Sequence, residues 1–112
     1  MTSFRSYTLA AALLLAGCAS QDVPLAVKTC AIAIENGAAH LHATVIDRSD
    51  KSMESATLRV DVYQNYRFER ATVTASFTPA LDPGVSRELA LPLDLQGVST
   101  GAATCVATGV TY

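Results

Sequence analysis

Apolar and polar residues alternate along most of the chain after residue 24, which is the period expected of half-buried β-strands. The pattern predicts an opening hairpin and four later strands at about 56–63, 66–78, 85–93 and 102–112. A charged segment at 47–55, the stretch from Pro79 to Gly84 and a loop at 96–101 separate them. Pro83-Gly84 suits the central pair of a type II turn, and no segment has a convincing helical period.

The opening hairpin can be predicted in register. Asn36-Gly37 is the preferred pair for a type I′ turn. With these two residues as the loop, the expected pairs are Glu35 with Ala38, Ile34 with Ala39, Ile32 with Leu41, Cys30 with Ala43 and Lys28 with Val45. One face of the hairpin is then apolar and contains Cys30, while the opposite face carries His40 and His42.

Three cysteines are present. If Cys18 is modified, as suggested below, Cys30 and Cys105 remain to form a disulfide. By the chain-entropy argument, a disulfide that closes a loop of about 75 residues stabilises the folded state by roughly 4 kcal/mol. Two free buried thiols and a reactive cysteine are the alternatives, although the spacing is not that of a C-x-x-C redox motif.

The predicted fold class is all-β: a small antiparallel immunoglobulin-like β-sandwich of about six to seven strands, with an N-terminal signal peptide. A disulfide would join its first and last strands. In the last strand Cys105 shares a face with Ala103 and Ala107, whereas Val106 and Val110 point the other way. A β-bulge, or apolar surroundings on both faces, would account for this conflict.

The N-terminal segment has the character of a targeting signal. Residues 8–17 are nearly all apolar and follow a polar start that contains Arg5. Ten helical residues would cover about 15 Å, half of a ~30 Å bilayer core, so the stretch is too short to span but suits a secretory signal. Leu15-Ala16-Gly17-Cys18 resembles the lipobox of bacterial lipoproteins.

That resemblance implies a signal peptide at 1–17, a lipidated tether at 18–24 and a domain at 25–112. Cys18 would carry several acyl chains such as palmitate, which would make the membrane anchor effectively permanent. Ala19, where aspartate would favour the inner membrane, implies the outer membrane, with the domain facing the periplasm. An ordinary secretory signal cut after Ala19, or a plain cytosolic start, are the alternatives.

Charge and motifs exclude several classes of function. The chain has 8 Lys and Arg against 10 Asp and Glu, a net charge of −2, which argues against nucleic-acid binding. No Ser-His-Asp arrangement, acid–base carboxylate pair or glycine-rich phosphate loop stands out. A protein that is not an enzyme and needs no cofactor is therefore predicted.

His40 and His42 lie two residues apart on one predicted strand face, with Glu35 near the same hairpin as a third potential metal ligand. No fourth ligand is apparent, so surface histidines are expected here. No metal site is predicted.

A second candidate site lies at residues 63–70. If Gln64-Asn65 is a hairpin loop, Tyr63 faces Tyr66, Asp61 faces Phe68 and Arg59 faces Arg70. One outer face then carries aromatic and arginine side chains, the types that anchor protein interfaces: Tyr63, Tyr66, Phe68, Arg59 and Arg70. The alternative is that these aromatics cover a second core layer or fold under a loop.

Thr29 to Gly37, followed by Leu41 and Val45, resembles the opening hairpin of the periplasmic chaperone family of curli assembly (the H component). Val73 to Phe77 before a Pro-Gly turn is also similar. Members of that family are small disulfide-linked β-sandwiches that restrain an amyloid subunit. The chain differs in its early Cys105, in the absence of the Gln-Gly before the phenylalanine and in its lipid anchor.

Together these features predict a lipid-anchored periplasmic β-sandwich that binds a protein partner. One version is an accessory or chaperone for an exported β-rich, curli-like subunit. The alternatives are a structural or assembly-accessory envelope lipoprotein without a free client, and a binder of a small ligand or metal. The pattern leaves the oligomeric state open.

Overall fold

The computed structural model describes residues 23–112, so the predicted signal peptide, the lipobox and Cys18 lie outside the described residues. The described residues form seven strands: β1 (Leu25–Glu35), β2 (Ala38–Asp47), β3 (Met53–Gln64), β4 (Arg67–Leu81), β5 (Ser86–Pro92), β6 (Gly101–Ala102) and β7 (Thr104–Thr111). None of these residues belongs to a helix that could cross a membrane.

The strands form two sheets in which every pairing is antiparallel. One sheet has the strand order β5-β2-β1-β6 and the other has the order β4-β3-β7. The division into four and three strands matches that of constant-type immunoglobulin domains. The predicted all-β antiparallel sandwich is thereby confirmed.

The core lies between the two sheets. Strands of both sheets contribute every second side chain, as the period of two requires. Side chains that are at most 1% exposed come from β1, β2, β3 and β4, and they include Ile32, Leu41, Val45, Leu58, Val60, Val62, Ala75 and Leu81. Burial of this apolar surface is the main stabilising term, because removal of apolar area from water contributes about 25 cal/mol per Å².

The opening hairpin has the predicted turn and most of the predicted register. Asn36 and Gly37 have φ values of 52° and 77°, which a type I′ turn needs at both positions. Cys30 pairs with Ala43, as predicted. The expected pairing of Lys28 with Val45 is wrong, because a bulge between Val27 and Thr29 places Val27 opposite Val45.

The end of the chain moves from one sheet to the other. β6 pairs with β1, and after Ala103 the chain continues as β7, which pairs with β3. The Ala103 N–H donates to the carbonyl of Cys30 over 3.3 Å. The predicted disulfide joins Cys30 in β1 to Cys105 in β7, with a Cα–Cα distance of 6.0 Å. It therefore links the two sheets as well as the first and last strands.

The conflict of faces in the last strand has a single structural cause. In the pairing of β3 with β7, Thr57 lies opposite Gly109 and Leu58 opposite Ala107, so Thr108 is an extra residue. This bulge reverses the alternation between Ala107 and Val110. Both side chains therefore belong to the core side of the sheet, Ala107 as a buried member and Val110 packed against it.

The predicted boundaries of β3 and β4 differ from the structure. β3 begins at Met53, inside the predicted loop, and β4 continues through Pro79 to Leu81. Met53 pairs with Leu81 and both side chains are fully buried, so the apolar contact extends the strands. Proline is compatible with β4 because an edge strand does not need every N–H for pairing. The turn itself is shorter and includes Gly84 at φ 78°.

Candidate protein-binding surface

The hairpin between β3 and β4 turns one residue later than predicted. Asn65 and Tyr66 are the loop residues, with φ values of 52° and 61°. The expected opposition of Tyr63 to Tyr66, of Asp61 to Phe68 and of Arg59 to Arg70 is therefore wrong. Instead Gln64 pairs with Arg67, Tyr63 with Phe68, Asp61 with Arg70 and Arg59 with Thr72. Both turns place Asn65 in the left-handed region, which asparagine tolerates, and the observed turn places Tyr66 there instead of Gln64.

The candidate residues nevertheless lie together. Tyr63 and Phe68 are cross-strand neighbours on the outer face of the β4-β3-β7 sheet, 68% and 55% exposed. Tyr66 is at the tip of the turn and is 94% exposed. We refer to these three aromatics with Arg59 and Arg70 as the aromatic patch. Because the aromatic rings face solvent, they do not form a second core layer in the described part of the chain.

Asp61 organises the arginines of the aromatic patch. Arg70 donates to it twice, from Nε to Oδ1 over 2.7 Å and from Nη2 to Oδ2 over 3.4 Å. Arg59 Nε lies 3.4 Å from Asp61 Oδ2. The Arg70 guanidinium carbon also lies 5.2 Å from the Phe68 ring centroid, which is a cation–π distance. Asp61 thus fixes how Arg70 is presented beside the aromatic rings and lies within ion-pair distance of Arg59.

The pKa of Asp61 lies below its ordinary value of 3.8, chiefly because Arg70 hydrogen-bonds to the carboxylate. The same hydrogen bond raises the pKa of Arg70. Sequence pattern alone did not select Asp61, because its role depends on cross-strand pairing with Arg70. Only the register of the hairpin places the two side chains opposite each other.

The charge around the aromatic patch is positive in a protein that is acidic overall. Arg67 and Glu69 form a further ion pair at 2.7 Å. Together with Asp61, Arg59 and Arg70, the hairpin carries three arginines and two carboxylates. The whole chain has a net charge of −2. The hairpin therefore carries one net positive charge beside its aromatic rings.

The hairpin is fastened to a neighbouring loop. The Gln64 side chain accepts from the Ser99 N–H over 2.7 Å and donates to the Ser99 carbonyl over 2.8 Å. An amide side chain that hydrogen-bonds to both the N–H and the carbonyl of one residue holds that residue in place, as a neighbouring β-strand would. A surface held in this way loses less conformational freedom on binding than a free loop would.

The two histidines lie on the outer face of the other sheet, as predicted. His42 Nε2 is 3.0 Å from Glu35 Oε2, and His40 Nδ1 is 3.6 Å from Glu35 Oε1. The three side chains therefore meet on the hairpin. Among residues 23–112, however, no group of three or more His, Cys, Asp and Glu side chains is arranged to hold a metal ion.

A buried carboxylate, Asp47, organises the opposite end of the sandwich. Its Oδ1 accepts from the N–H and from the hydroxyl of Ser49, at 2.7 and 2.6 Å. Its backbone carbonyl accepts from the Gly84 N–H at 2.7 Å. Asp47 thus ties the loop after β2 to the turn before β5. The sequence pattern placed it in a charged loop and gave no sign of this role.

No protein-family model, curated protein or solved structure matches the chain. The fold and the surface define a class nonetheless: a small two-sheet all-β domain with an inter-sheet disulfide and an exposed aromatic hairpin.

We expect Asp61→Asn to destabilise the domain in a pH-dependent way. A carboxylate whose pKa is depressed by folding contributes stability above its unfolded pKa of about 3.9, and that contribution is lost as the pH falls through the lower folded value. Urea midpoints of the two proteins should therefore differ at pH 7, begin to converge below about pH 4 and become equal only when Asp61 is protonated in the folded protein. Glu54→Gln is the control, because Glu54 is exposed and forms no ion pair with the described residues. A gap that is constant with pH would contradict the assignment.

Proposed function

We propose that this protein is a lipid-anchored lipoprotein of the bacterial cell envelope whose β-sandwich binds a protein partner through the aromatic patch. The observation that supports this best is the exposure of Tyr63, Tyr66 and Phe68 at one hairpin. Exposed aromatic side chains in a cluster are costly in water and are the residues that most often anchor interfaces. The anchor would be Cys18 in the outer membrane, and the domain would face the periplasm.

The chemistry of the aromatic patch indicates the kind of partner. Aromatic rings beside a net positive set of ion pairs suit a protein segment that carries apolar side chains next to carboxylates. An exported β-rich, curli-like subunit that must be restrained before it assembles is the partner we favour. The resemblance of the opening hairpin to the curli chaperone family supports this choice. In this proposal the protein catalyses no reaction and needs no cofactor.

The double substitution Tyr66→Ala with Phe68→Ala is expected to weaken partner binding by more than tenfold and to leave the fold intact. Truncation of an interface anchor commonly costs more than about 1.4 kcal/mol, which is tenfold in affinity. Both side chains are exposed, so little packing is lost. Binding is measured by titration with the partner protein that the cross-linking experiment below identifies. Retention of the fold is measured by the urea midpoint of unfolding. Loss of the fold in this variant would mean that the aromatics are structural and would overturn the patch.

His40→Ala with His42→Ala is the matched control, because it changes a second exposed surface on the other sheet. We expect partner binding to be unchanged. If this variant loses binding while the aromatic variant retains it, the site lies on the histidine face. Metal titration would then test the hypothesis that the protein binds a small ligand or a metal.

A photo-crosslinking residue identifies the partner in the native envelope. It is placed at Tyr66, and a matched protein carries it at Ala90, an exposed residue of β5 in the other sheet. We expect one exported or secretion-apparatus protein to be captured at position 66 and not at 90. A Cys18→Ser variant should lose or mislocate this capture. The absence of any captured protein would favour a structural envelope lipoprotein without a client.

A further inference from the structure

Among the residues that the structure describes, strand β4 has one unpaired edge. It pairs with β3 on one side and is the outermost strand of its sheet. Along Ala71–Thr78 it has neither charge nor proline, and its pairing with β3 is regular from Arg67 to Ser76. Natural sheets usually protect such an edge with charges, proline or a bulge, because unpaired N–H and C=O groups invite another strand.

Among the described residues, charge and proline protect the two ends of this edge, and the Arg87 guanidinium of β5 also lies 5.7 Å from the Phe77 ring centroid. Beyond Thr78, Pro79 lacks an N–H, and its carbonyl accepts from Arg87 Nη1 over 2.7 Å. Before Ala71 the strand is charged, with Glu69 and Arg70. The free edge is therefore a bounded segment of β4 with alternating backbone groups directed away from β3. A segment of this kind is long enough to accept one further strand.

We propose that this edge pairs with the same edge of a second copy of the chain, antiparallel and about a two-fold axis at Thr74. In this register Thr74 faces its own counterpart. The other opposed pairs are Ala71 with Phe77, Thr72 with Ser76 and Val73 with Ala75. The aromatic rings of the patch lie outside the paired segment, and Arg70, at the end of that segment, is the one residue that the two surfaces share. The proposal therefore does not rest on the proposed function.

The pairs are complementary on both faces. On the core side, a small residue lies opposite a larger one. On the outer side, hydroxyl side chains lie opposite each other, and Thr–Thr and Thr–Ser pairs are favourable across strands. A two-fold axis perpendicular to the sheet keeps the apolar faces of both copies on the same side. Ala71 and Val73 are only half-buried, whereas Ala75 and Phe77 are buried. Pairing would cover the half-buried part of the edge.

Neighbouring registers are less favourable. A shift of the axis to residue 73 places Glu69 opposite Phe77 on the apolar face, where a charge is costly. A shift to residue 75 places Pro79 opposite Ala71 and shortens the hydrogen-bonded segment. The axis at Thr74 gives the longest segment, Arg70 to Thr78, that avoids both Glu69 and Pro79.

A cysteine at the axis tests the register. Thr74→Cys would place two thiols opposite each other with Cα atoms about 4.5–5.5 Å apart, which a disulfide can bridge. Cells that produce the full-length protein are oxidised with copper phenanthroline, and the protein is examined on non-reducing gels. We expect Thr74→Cys to give at least tenfold more covalent dimer than Thr72→Cys, an exposed residue on the same strand face. Equal dimer from both variants, or a disulfide to another protein, would overturn the proposal.

A charge swap tests the same pairing without an oxidant. Thr74→Lys and Thr74→Asp each place like charges across the axis, and each protein should sediment as a monomer in detergent where the unchanged protein is a dimer. Mixing the two variants should restore the dimer. Thr57→Lys, on the central strand β3, is the control for a lysine on this sheet. An unchanged protein that is monomeric, or a mixture that stays monomeric, would refute edge pairing.

Discussion

Replacement of both Cys30 and Cys105 by alanine is expected to lower the free energy of unfolding by about 4 kcal/mol. The disulfide joins residues 75 positions apart and links the two sheets. Its loss frees the unfolded chain, so the unfolded state gains entropy. Because small domains have only about 5–15 kcal/mol of stability, the variant should be close to unfolding at 37 °C. Urea unfolding followed by circular dichroism measures the difference.

Reduction provides the matched control for this prediction. A thiol reductant should lower the urea midpoint of the unchanged protein to that of the double variant. It should not change the midpoint of the double variant. A loss smaller than about 1 kcal/mol would contradict the entropic account and would indicate that the sheets hold together by packing alone.

Leu58→Ala is expected to destabilise the domain by about 3 kcal/mol. Leu58 is 0% exposed and lies on β3, the central strand of its sheet. Val73 pairs with it on one side and Ala107 on the other. The substitution removes apolar contacts and leaves a cavity that strands held on both sides fill poorly. The free energy of unfolding in urea is the measurement.

Ile34→Ala is the control for this core substitution, because Ile34 is a large aliphatic residue that is 39% exposed. We expect its cost to remain within about 1 kcal/mol. Equal losses for Leu58→Ala and Ile34→Ala would mean that the interface between the sheets is not the main core. The aromatic substitutions at Tyr66 and Phe68 should resemble Ile34→Ala in stability and differ from it in partner binding.

These stability experiments also bear on the proposed function. The aromatic patch lies at the end of β3 and β4, and the hydrogen bonds between Gln64 and Ser99 fasten that hairpin. A core variant that lowers stability should therefore weaken binding only when the fold is lost. A patch variant should weaken binding with the fold retained. The comparison separates a binding surface from a merely structural one.

Local sequence signals were sufficient to predict the turn and most of the register of the first hairpin. Asn36-Gly37 has backbone conformations that few other residue pairs adopt, so the turn and the adjoining register follow from the sequence. The disulfide was predicted from the cysteine count, with Cys18 set aside because Leu15–Cys18 resembles a lipobox. The second hairpin lacks such a signal, and its turn is one residue later than Gln64-Asn65. A weak turn leaves the register to contacts elsewhere, here including those between Gln64 and Ser99.

The sequence by itself determined the all-β class, the Cys30–Cys105 link and the membership of the aromatic patch, because a period of two assigns side chains to faces locally. Only the tertiary structure decided the bulges at Lys28 and Thr108, the change of sheet at Ala103, the ion pairs of Asp61 and the unpaired edge of β4. Each of these depends on which distant strands are hydrogen-bonded to each other. Alternation along one strand carries no information about its neighbour.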